Sequence, residues 1–266
     1  MELQGKQLSL AIESNPILKS VDIDIRAGEL IGLIGPNGAG KTSLLRILAN
    51  LQAADSGGVT LDNQPLTRIP RKQLAQHLGY LEQGAPAHWP LQVRRLVELG
   101  RLPYLSPWSN LSAADAAIVD TAMQQAEVEH LSQRIISTLS GGERLRVLIA
   151  RLFASQPNII LADEPIAALD PYHQLHTMEL LRTHCDQAGS AVVVMHDLNM
   201  AARFCDRLIL LHHGVVAAQG SVESVLTTDN LSSVYGIQTQ LFYHPDSGVT
   251  VIPTTRLKHS TEIPIG

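Results

Sequence analysis

The chain has 266 residues and a formal net charge of −5, with 45% hydrophobic and 17% charged residues. This composition excludes a disordered chain, because enough apolar side chains are present for a packed core. The net negative charge and the lack of Lys or Arg runs argue against a nucleic-acid-binding protein. Residues 1–10 lack the pattern of a secretory signal, and no apolar stretch approaches the about 20 residues that span a bilayer, so we expect neither feature.

The first motif lies between a predicted strand and a predicted helix. Residues 30–34 form a continuous apolar run of strand length, and residues 42–49 have helical spacing. Residues 35–42 read Gly-Pro-Asn-Gly-Ala-Gly-Lys-Thr and fit the pattern G-x-x-x-x-G-K-S/T. A glycine turn that matches by chance is the alternative, but the flanking strand and helix are the context that a phosphate-binding loop requires.

This loop predicts a site for ATP and Mg²⁺. Glycines let backbone N–H groups surround a phosphate without side-chain collision, and the start of the helix adds its positive end. We expect Lys41 to reach the β- and γ-phosphates and the hydroxyl of Thr42 to bind Mg²⁺, which prefers oxygen ligands. The predicted nucleotide-binding residues of the loop are Gly35, Pro36, Asn37, Gly38, Ala39, Gly40, Lys41, Thr42 and Ser43.

A helical segment follows the next short strand. Gln83 follows the predicted strand at 78–81 and could contact Mg²⁺ and report the nucleotide state to the helical segment, although a surface glutamine is the simpler interpretation of this residue alone. A helix is predicted over 112–128, with Ser112 as its N-cap and Asp115 three residues later. We therefore expect a helical lobe, residues 86–154, inserted into a sheet-based domain.

A second candidate phosphate site lies at residues 139–143, which read Leu-Ser-Gly-Gly-Glu. Ser140 is a suitable N-cap for a helix that starts at Gly141. Gly141 and Gly142 leave that helix end open to an anion, and Glu143 completes the motif. An ordinary serine N-cap beside a glycine hinge is the alternative interpretation.

Acidic and imidazole side chains follow two later apolar strands. Asp163 and Glu164 close the strand at 159–162, where Asp163 can hold Mg²⁺ and Glu164 can take a proton from the attacking water or orient that water. His196 follows the apolar run 191–195 and could contact the γ-phosphate, with a histidine at the core edge as the alternative. Asp170, followed by Pro171, is the predicted N-cap of a helix that reaches about Cys185.

In this order, the motifs resemble those of the ATP-binding subunit of ABC transporters. The matching positions are the Walker A loop at 35–42, the Q-loop at Gln83, the signature sequence at 139–143, the Walker B strand at 160–164, the D-loop at 167–170 and the switch histidine at His196. The resemblance implies one α/β P-loop NTPase domain over residues 1–266. Its expected parts are a RecA-like parallel sheet, an antiparallel β-subdomain, the inserted helical subdomain and, over 230–266, a tail with a short helix and a hairpin.

The resemblance also implies a mechanism. Two copies pair head to tail, and each ATP lies between the Walker loop of one copy and Ser140, Gly141 and Gly142 of the other. Glu164 is the expected catalytic base, His196 contacts the γ-phosphate, Asp170 supports the opposite site, and Mg²⁺ is held by Thr42, Gln83 and Asp163. This is the arrangement of a peripheral protein on the cytoplasmic face of the bacterial inner membrane.

The subfamily is suggested by three stretches. Residues 99–104 (Leu-Gly-Arg-Leu-Pro-Tyr), residues 162–174 and the ending Val-Tyr-Gly at 234–236 are similar to importers of iron chelates, haem and vitamin B12. They imply metal-chelate uptake through permease subunits and, indirectly, a periplasmic or surface substrate-binding protein, with iron–siderophore or haem ahead of vitamin B12. Family members usually place an aromatic residue on the adenine, but the matching residues 8–12 contain none.

Three other functions are weighed against import. A non-transport ABC-type ATPase of DNA repair would carry long coiled coils between the Walker motifs, and a ribosome-associated member would carry two cassettes. A regulatory protein without catalysis is disfavoured by the presence of Glu164. An exporter cassette is often fused to membrane spans, which this sequence does not predict.

Overall fold

In the computed structural model, the described residues are 1–84, 90–106, 109–244 and 248–257. The strands are β1 (Leu3–Ile12), β2 (Asn15–Ile25), β3 (Leu30–Ile34), β4 (Ser56–Leu61), β5 (Gln64–Pro65), β6 (Leu78–Leu81), β7 (Ile159–Asp163), β8 (Ser190–Val194), β9 (Arg207–His212), β10 (Val215–Ser221), β11 (Ile237–His244) and β12 (Gly248–Arg256). The helices are α1 (Lys41–Leu48), α2 (Arg71–His77), α3 (Val93–Glu98), α4 (Ala113–Gln125), α5 (Gly141–Ala154), α6 (Pro171–Asp186), α7 (Leu198–Phe204), α8 (Val222–Val225) and α9 (Thr228–Tyr235).

A six-stranded sheet in the order β10-β9-β3-β8-β7-β6 forms the centre of the fold. Its inner pairs are parallel, and β10 is antiparallel to β9 at one edge. Every residue of β3, β7 and β8 is buried, as expected for parallel strands that helices cover on both faces. The carboxyl ends of β3, β8, β7 and β6 therefore meet along one edge, which is where open parallel sheets bind ligands.

Two apolar cores lie on opposite faces of this sheet. On one face, an antiparallel sheet in the order β2-β1-β4-β5 packs with α1 through residues such as Leu8, Ile25 and Leu45. On the other face, Ile160 and Val193 join the helices of the lobe and α6. This combination of a parallel sheet, an antiparallel sheet and a helical segment confirms the expected fold class.

The helical segment contains α3, α4 and α5, which pack against one another. The predicted N-cap of α4 is confirmed, because the Asp115 backbone N–H donates to Ser112 Oγ at 3.1 Å and an Asp115 carboxylate oxygen accepts from the Ser112 backbone N–H. The predicted end of this helix at residue 128 is wrong, because α4 ends at Gln125 and Glu127 adopts a left-handed φ of 54°. The start of the predicted lobe at 86 lies outside the described residues.

Residues 99–104 hold the C-terminal end of α5 against α4 within the lobe. Arg101 is 5% exposed, and it donates to Asp115 Oδ1 at 2.9 Å and to the Ala154 carbonyl at 2.9 Å. Gly100 lies so close to α5 that an added Cβ would be 2.4 Å from the Arg151 carbonyl oxygen. One of the three stretches that suggest the subfamily is thus a packing element that fixes the C-terminal end of α5.

The C-terminal part of the chain contains two hairpins. Strands β9 and β10 pair around the turn at residues 213 and 214. Strands β11 and β12 pair along their length, whereas residues 245–247 of the predicted hairpin turn lie outside the described residues. Within the described ranges, no helix has the length and apolar character needed to cross a membrane.

Candidate nucleotide-binding site

The loop between β3 and α1 depends on glycine at defined positions. Gly35, Gly38 and Gly40 have positive φ angles of 145°, 78° and 101°, which L side chains rarely adopt. A Cβ on Gly35 would lie 2.1 Å from the Leu211 carbonyl oxygen, and one on Gly40 would lie 2.8 Å from the Ile17 carbonyl oxygen. The chain therefore wraps the start of α1 in a loop whose backbone N–H groups can face a phosphate.

Lys41, the first residue of α1, folds back onto this loop. Its Nζ donates to the Gly35 carbonyl at 2.7 Å and to the Pro36 carbonyl at 2.9 Å. Burial lowers the pKa of Lys41, and the nearby Glu164 and Asp163 carboxylates oppose that shift. The ammonium is thus held at the loop by carbonyl oxygens that phosphate oxygens can replace.

Asp163, at the end of β7, is a buried acidic residue beside the loop. The residue is 1% exposed, and neither carboxylate oxygen accepts a hydrogen bond from the described residues within ordinary distance. Burial raises the pKa of Asp163, while the Thr42 hydroxyl and the Lys41 ammonium oppose that rise. Unpaired buried carboxylates are rare in proteins, and the oxygen-rich set of Asp163, Thr42 and Gln83 fits the preference of Mg²⁺.

Three residues that are far apart in the sequence meet beside Lys41 and Asp163: they are Gln83, Glu164 and His196. They follow β6, β7 and β8, whose carboxyl ends are adjacent. Gln83 Nε2 donates to Glu164 Oε2 at 2.6 Å, and His196 Nε2 donates to Glu164 Oε1. Glu164 itself has a left-handed φ of 52°, a conformation that is costly outside glycine and is found at functional sites.

These residues line one open cleft of about 530 Å³. Its walls are formed by residues 37–43 of the loop with Gln83, Glu164, His196 and Ile17. Sequence reasoning missed Ile17 and looked for the adenine contact in residues 8–12, where Leu10 is buried and Ile12 is exposed. No sequence signal identifies Ile17, because its place beside the loop depends on how β2 packs on the central sheet.

The signature residues begin α5 outside this cleft. Ser140 is the N-cap: its Oγ accepts from the Glu143 backbone N–H at 3.2 Å, while Glu143 Oε2 accepts from the Ser140 backbone N–H at 2.8 Å. The bond from the Ser140 backbone N–H is also the main reason that the pKa of Glu143 is lowered. Gly141 lines a neighbouring groove with Gln83 and Glu164, and its absent side chain leaves the helix end open.

Asp170 caps α6 as predicted. Its Oδ1 accepts from the His173 backbone N–H at 3.0 Å, and its Oδ2 is 2.8 Å from His173 Nδ1. The backbone hydrogen bond, followed by the side-chain bond, lowers the pKa of Asp170. Among the described residues, no group of three or more His, Cys, Asp or Glu side chains could hold a metal ion.

Comparison with known proteins places these features in a family context. Residues 18–167 match the family model described as "ABC transporter". The chain is 38% identical over 257 residues to the hemin import ATP-binding protein HmuV of Pseudomonas putida, covering 95% of this chain and 99% of that protein. HmuV of Pseudomonas fluorescens is 40% identical, with coverages of 94% and 98%, and HmuV of Thermobifida fusca is 37% identical, with 96% and 89%.

Solved structures share the fold. The dimeric bacterial ABC transporter cassette MJ0796 superimposes with a TM-score of 0.74 at 29% identity, over 83% of this chain and 98% of that chain. An inward-facing ABC transporter described as of metal-chelate type superimposes with a TM-score of 0.81 over 95% of this chain and 97% of that chain. At 23% identity, the second likeness concerns the fold alone.

Proposed function

This chain belongs to the ABC transporter family, and on that premise we propose that it is the ATP-hydrolysing subunit of a bacterial importer whose cargo is a metal chelate. The observation that carries the proposal is the convergence of Gln83, Glu164 and His196 beside the phosphate loop. Relatives named hemin import ATP-binding proteins, matched over almost their whole length, favour haem over a siderophore or vitamin B12 and favour import over export, repair or translation.

The loop residues would bind the phosphates of ATP. Backbone N–H groups of the loop, other than at Pro36, would surround the β-phosphate, and the Lys41 ammonium would exchange its two carbonyl partners for β- and γ-phosphate oxygens. Thr42, Asp163 and Gln83 would hold Mg²⁺, which neutralises charge on the phosphate oxygens when bound. Ile17, an aliphatic side chain in the cleft wall, would give the base apolar contact in place of an aromatic ring.

Glu164 would act on the attacking water. Its carboxylate takes a proton as the water oxygen bonds to the γ-phosphorus, while the bond to the bridging oxygen of ADP breaks and phosphate leaves. The contacts from Gln83 and His196 hold both carboxylate oxygens in place before ATP arrives. His196 would then turn to the γ-phosphate, as the switch histidine of the family does.

A second copy would complete each site. Ser140, Gly141 and Gly142 start α5 with an open helix end that suits an anion, and in the proposed head-to-tail dimer they contact the γ-phosphate of the partner. Asp170 would support the opposite site across the interface. The dimeric state of MJ0796, a family member at 29% identity, supports this arrangement.

The dimer would work at a membrane. The helical lobe at 86–154 would contact two permease subunits on the cytoplasmic face of the inner membrane, and a substrate-binding protein would deliver the chelate on the other side. The tail at 230–266 would belong to the same ATPase domain. No nucleic acid is part of this function.

Glu164→Gln tests the catalytic assignment. We expect the turnover number for ATP to fall by a factor of about 10²–10⁴, because general base catalysis contributes that much. With Mg²⁺ and ATP, the variant should accumulate as a dimer in light scattering. The control is Glu129→Gln, a change at an exposed glutamate, which should keep wild-type turnover. Wild-type turnover by Glu164→Gln would contradict the assignment.

The cargo is tested in the assembled transporter. The chain and its permease subunits are reconstituted in liposomes with the substrate-binding protein, and ATP hydrolysis is measured with haem, a ferric siderophore or vitamin B12. We expect stimulation by haem. If only one of the other chelates stimulated hydrolysis, the proposed importer function would stand, and that chelate would replace haem as the proposed cargo.

A further inference from the structure

Glu127 occupies a backbone position at which glycine is the usual residue. It follows α4 with a φ of 54°. Its N–H donates to the Gln124 carbonyl at 3.0 Å, and the Val128 N–H donates to the Met123 carbonyl at 2.9 Å. This pair of bonds is the common C-terminal helix motif whose left-handed residue is favoured as glycine. A glutamate here makes the helix end less stable than a glycine would, so any advantage of the glutamate must come from its side chain.

The Glu127 side chain bridges two parts of the fold. Its Oε1 accepts from Tyr172 Oη at 3.1 Å, and its Oε2 lies 3.8 Å from His173 Nε2. His173 in turn contacts Asp170 Oδ2 through Nδ1 at 2.8 Å. One turn along α6, His176 Nε2 donates to the Gln125 carbonyl at 2.7 Å. We call Glu127, Tyr172, His173 and His176 the clasp.

The clasp is the main polar connection between α4 and α6. In the described part of the chain, all side-chain hydrogen bonds between residues 113–128 and α6 belong to it. Next to it, the two helices are separated by an open cleft of about 560 Å³, whose walls include Ile118, Thr121, Leu180 and Thr183. Movement of α4 can therefore reach the start of α6 through Glu127.

We propose that Glu127 is a positioning residue that ties the helical lobe to the D-loop. Through Tyr172 and His173 it fixes the start of α6, and with it Asp170, relative to the end of α4. A shift of the lobe then moves Asp170 as well. This inference rests on the proposed function, in which Asp170 supports the ATP site of the second copy.

Glu127→Gly separates a positioning role from a purely structural one. Glycine suits the left-handed backbone, so the variant should unfold at the same or a higher temperature than wild type. We expect its turnover number to fall about fivefold while KM for ATP stays within about twofold, because ATP binds elsewhere. Wild-type turnover in this variant would overturn the inference.

Two further variants and a control distinguish loss of the glutamate side chain from the added flexibility of glycine. Glu127→Asn tolerates the same backbone but is too short to reach Tyr172, so its turnover should fall as far as that of Glu127→Gly. Wild-type turnover in Glu127→Asn would assign the effect to glycine flexibility and overturn the inference. Tyr172→Phe loses one hydroxyl, and we expect a fall of about twofold. The control, Tyr243→Phe, changes a tyrosine that is 68% exposed and should have no effect.

Amide hydrogen exchange tests whether the clasp stabilises the start of α6, independently of ATP hydrolysis. In nucleotide-free protein, the amides of residues 173–176 should exchange about fivefold faster in Glu127→Gly and Glu127→Asn, whereas residues 122–126 should not change in Glu127→Gly. Unchanged exchange at 173–176 would overturn the inference. A wild-type protein that fails to hydrolyse ATP would instead contradict the proposed function, and the exchange data would still decide whether the clasp exists.

Discussion

Gly35 occupies a position that no larger residue can share. A side chain is excluded on two independent grounds. The φ of Gly35 is 145°, and an added Cβ would lie 2.1 Å from the Leu211 carbonyl oxygen. The sequence pattern explains this glycine by the phosphate that the loop is predicted to bind. The structure adds that β9 lies directly behind it, so the loop is fixed from the back as well as by its ligand.

Gly35→Ala should therefore destabilise the protein even without nucleotide. We expect a loss of about 1–3 kcal/mol in the free energy of unfolding, as for other strained backbone positions, measured by urea unfolding. The control is Gly141→Ala, because no atom of the described residues would lie within 4 Å of its added Cβ and its φ is not positive. Equal stability of the two variants would contradict the steric argument.

The same capping motif begins two helices, α4 and α5, with different expected roles. Ser112 and Ser140 each accept a hydrogen bond from the third residue of their helix, and an acid at that position accepts one in return. Ser112→Ala and Ser140→Ala should each lower stability by about 1 kcal/mol. In the Glu164→Gln background, only Ser140→Ala should also weaken ATP-dependent dimerisation in light scattering. If both variants lost the dimer equally, the loss would reflect lower stability of the lobe and not a contact of Ser140 with ATP.

A partly buried histidine gives α6 a pH dependence. His184 packs edge-on against Phe153, and burial lowers its pKa below the ordinary 6.5. The unfolded chain therefore binds a proton more readily, so the stability that neutral His184 provides is present above this value and lost as pH falls. When the pH is lowered from about 7.5 to about 5.5, the Tm of His184→Gln should therefore fall less than the Tm of wild type. His130→Gln, at an exposed site, should follow wild type, and parallel curves for all three would contradict the burial argument.

Elements with a local signal were predictable, and those set by distant packing were not. The capped starts of α4, α5 and α6 and the apolar strands β3, β7 and β8 follow from residue type and spacing. The short α2 and the pair β4–β5 carry no comparable signal, because tertiary contacts stabilise them. The meeting of Gln83, Glu164 and His196 depends on strand order, which periodicity does not reveal, so only the resemblance to a family predicted that they act together.

At the scale of the whole molecule, ATP should stabilise each copy as a bound ligand and should also hold two copies together. A ligand at 100 times its Kd stabilises a protein by about 2.7 kcal/mol whatever the protein concentration. If a second copy completes the site, the Tm of Glu164→Gln with Mg²⁺ and ATP should also rise with protein concentration. Ser140→Ala in the same background should keep the first effect and lose the second. A Tm independent of concentration would contradict the shared site.

The strand order of the central sheet has a consequence for synthesis of the chain. β3 is a wholly buried strand whose two neighbours are β8 and β9, which begin at Ser190 and Arg207. At translation rates of about 5–20 residues per second, roughly 8–31 s pass between the appearance of β3 and that of its first partner. During that interval the nascent chain carries an unpaired apolar strand that invites aggregation. The first half of the chain should therefore need protection from contact with other chains until β8 has been synthesised.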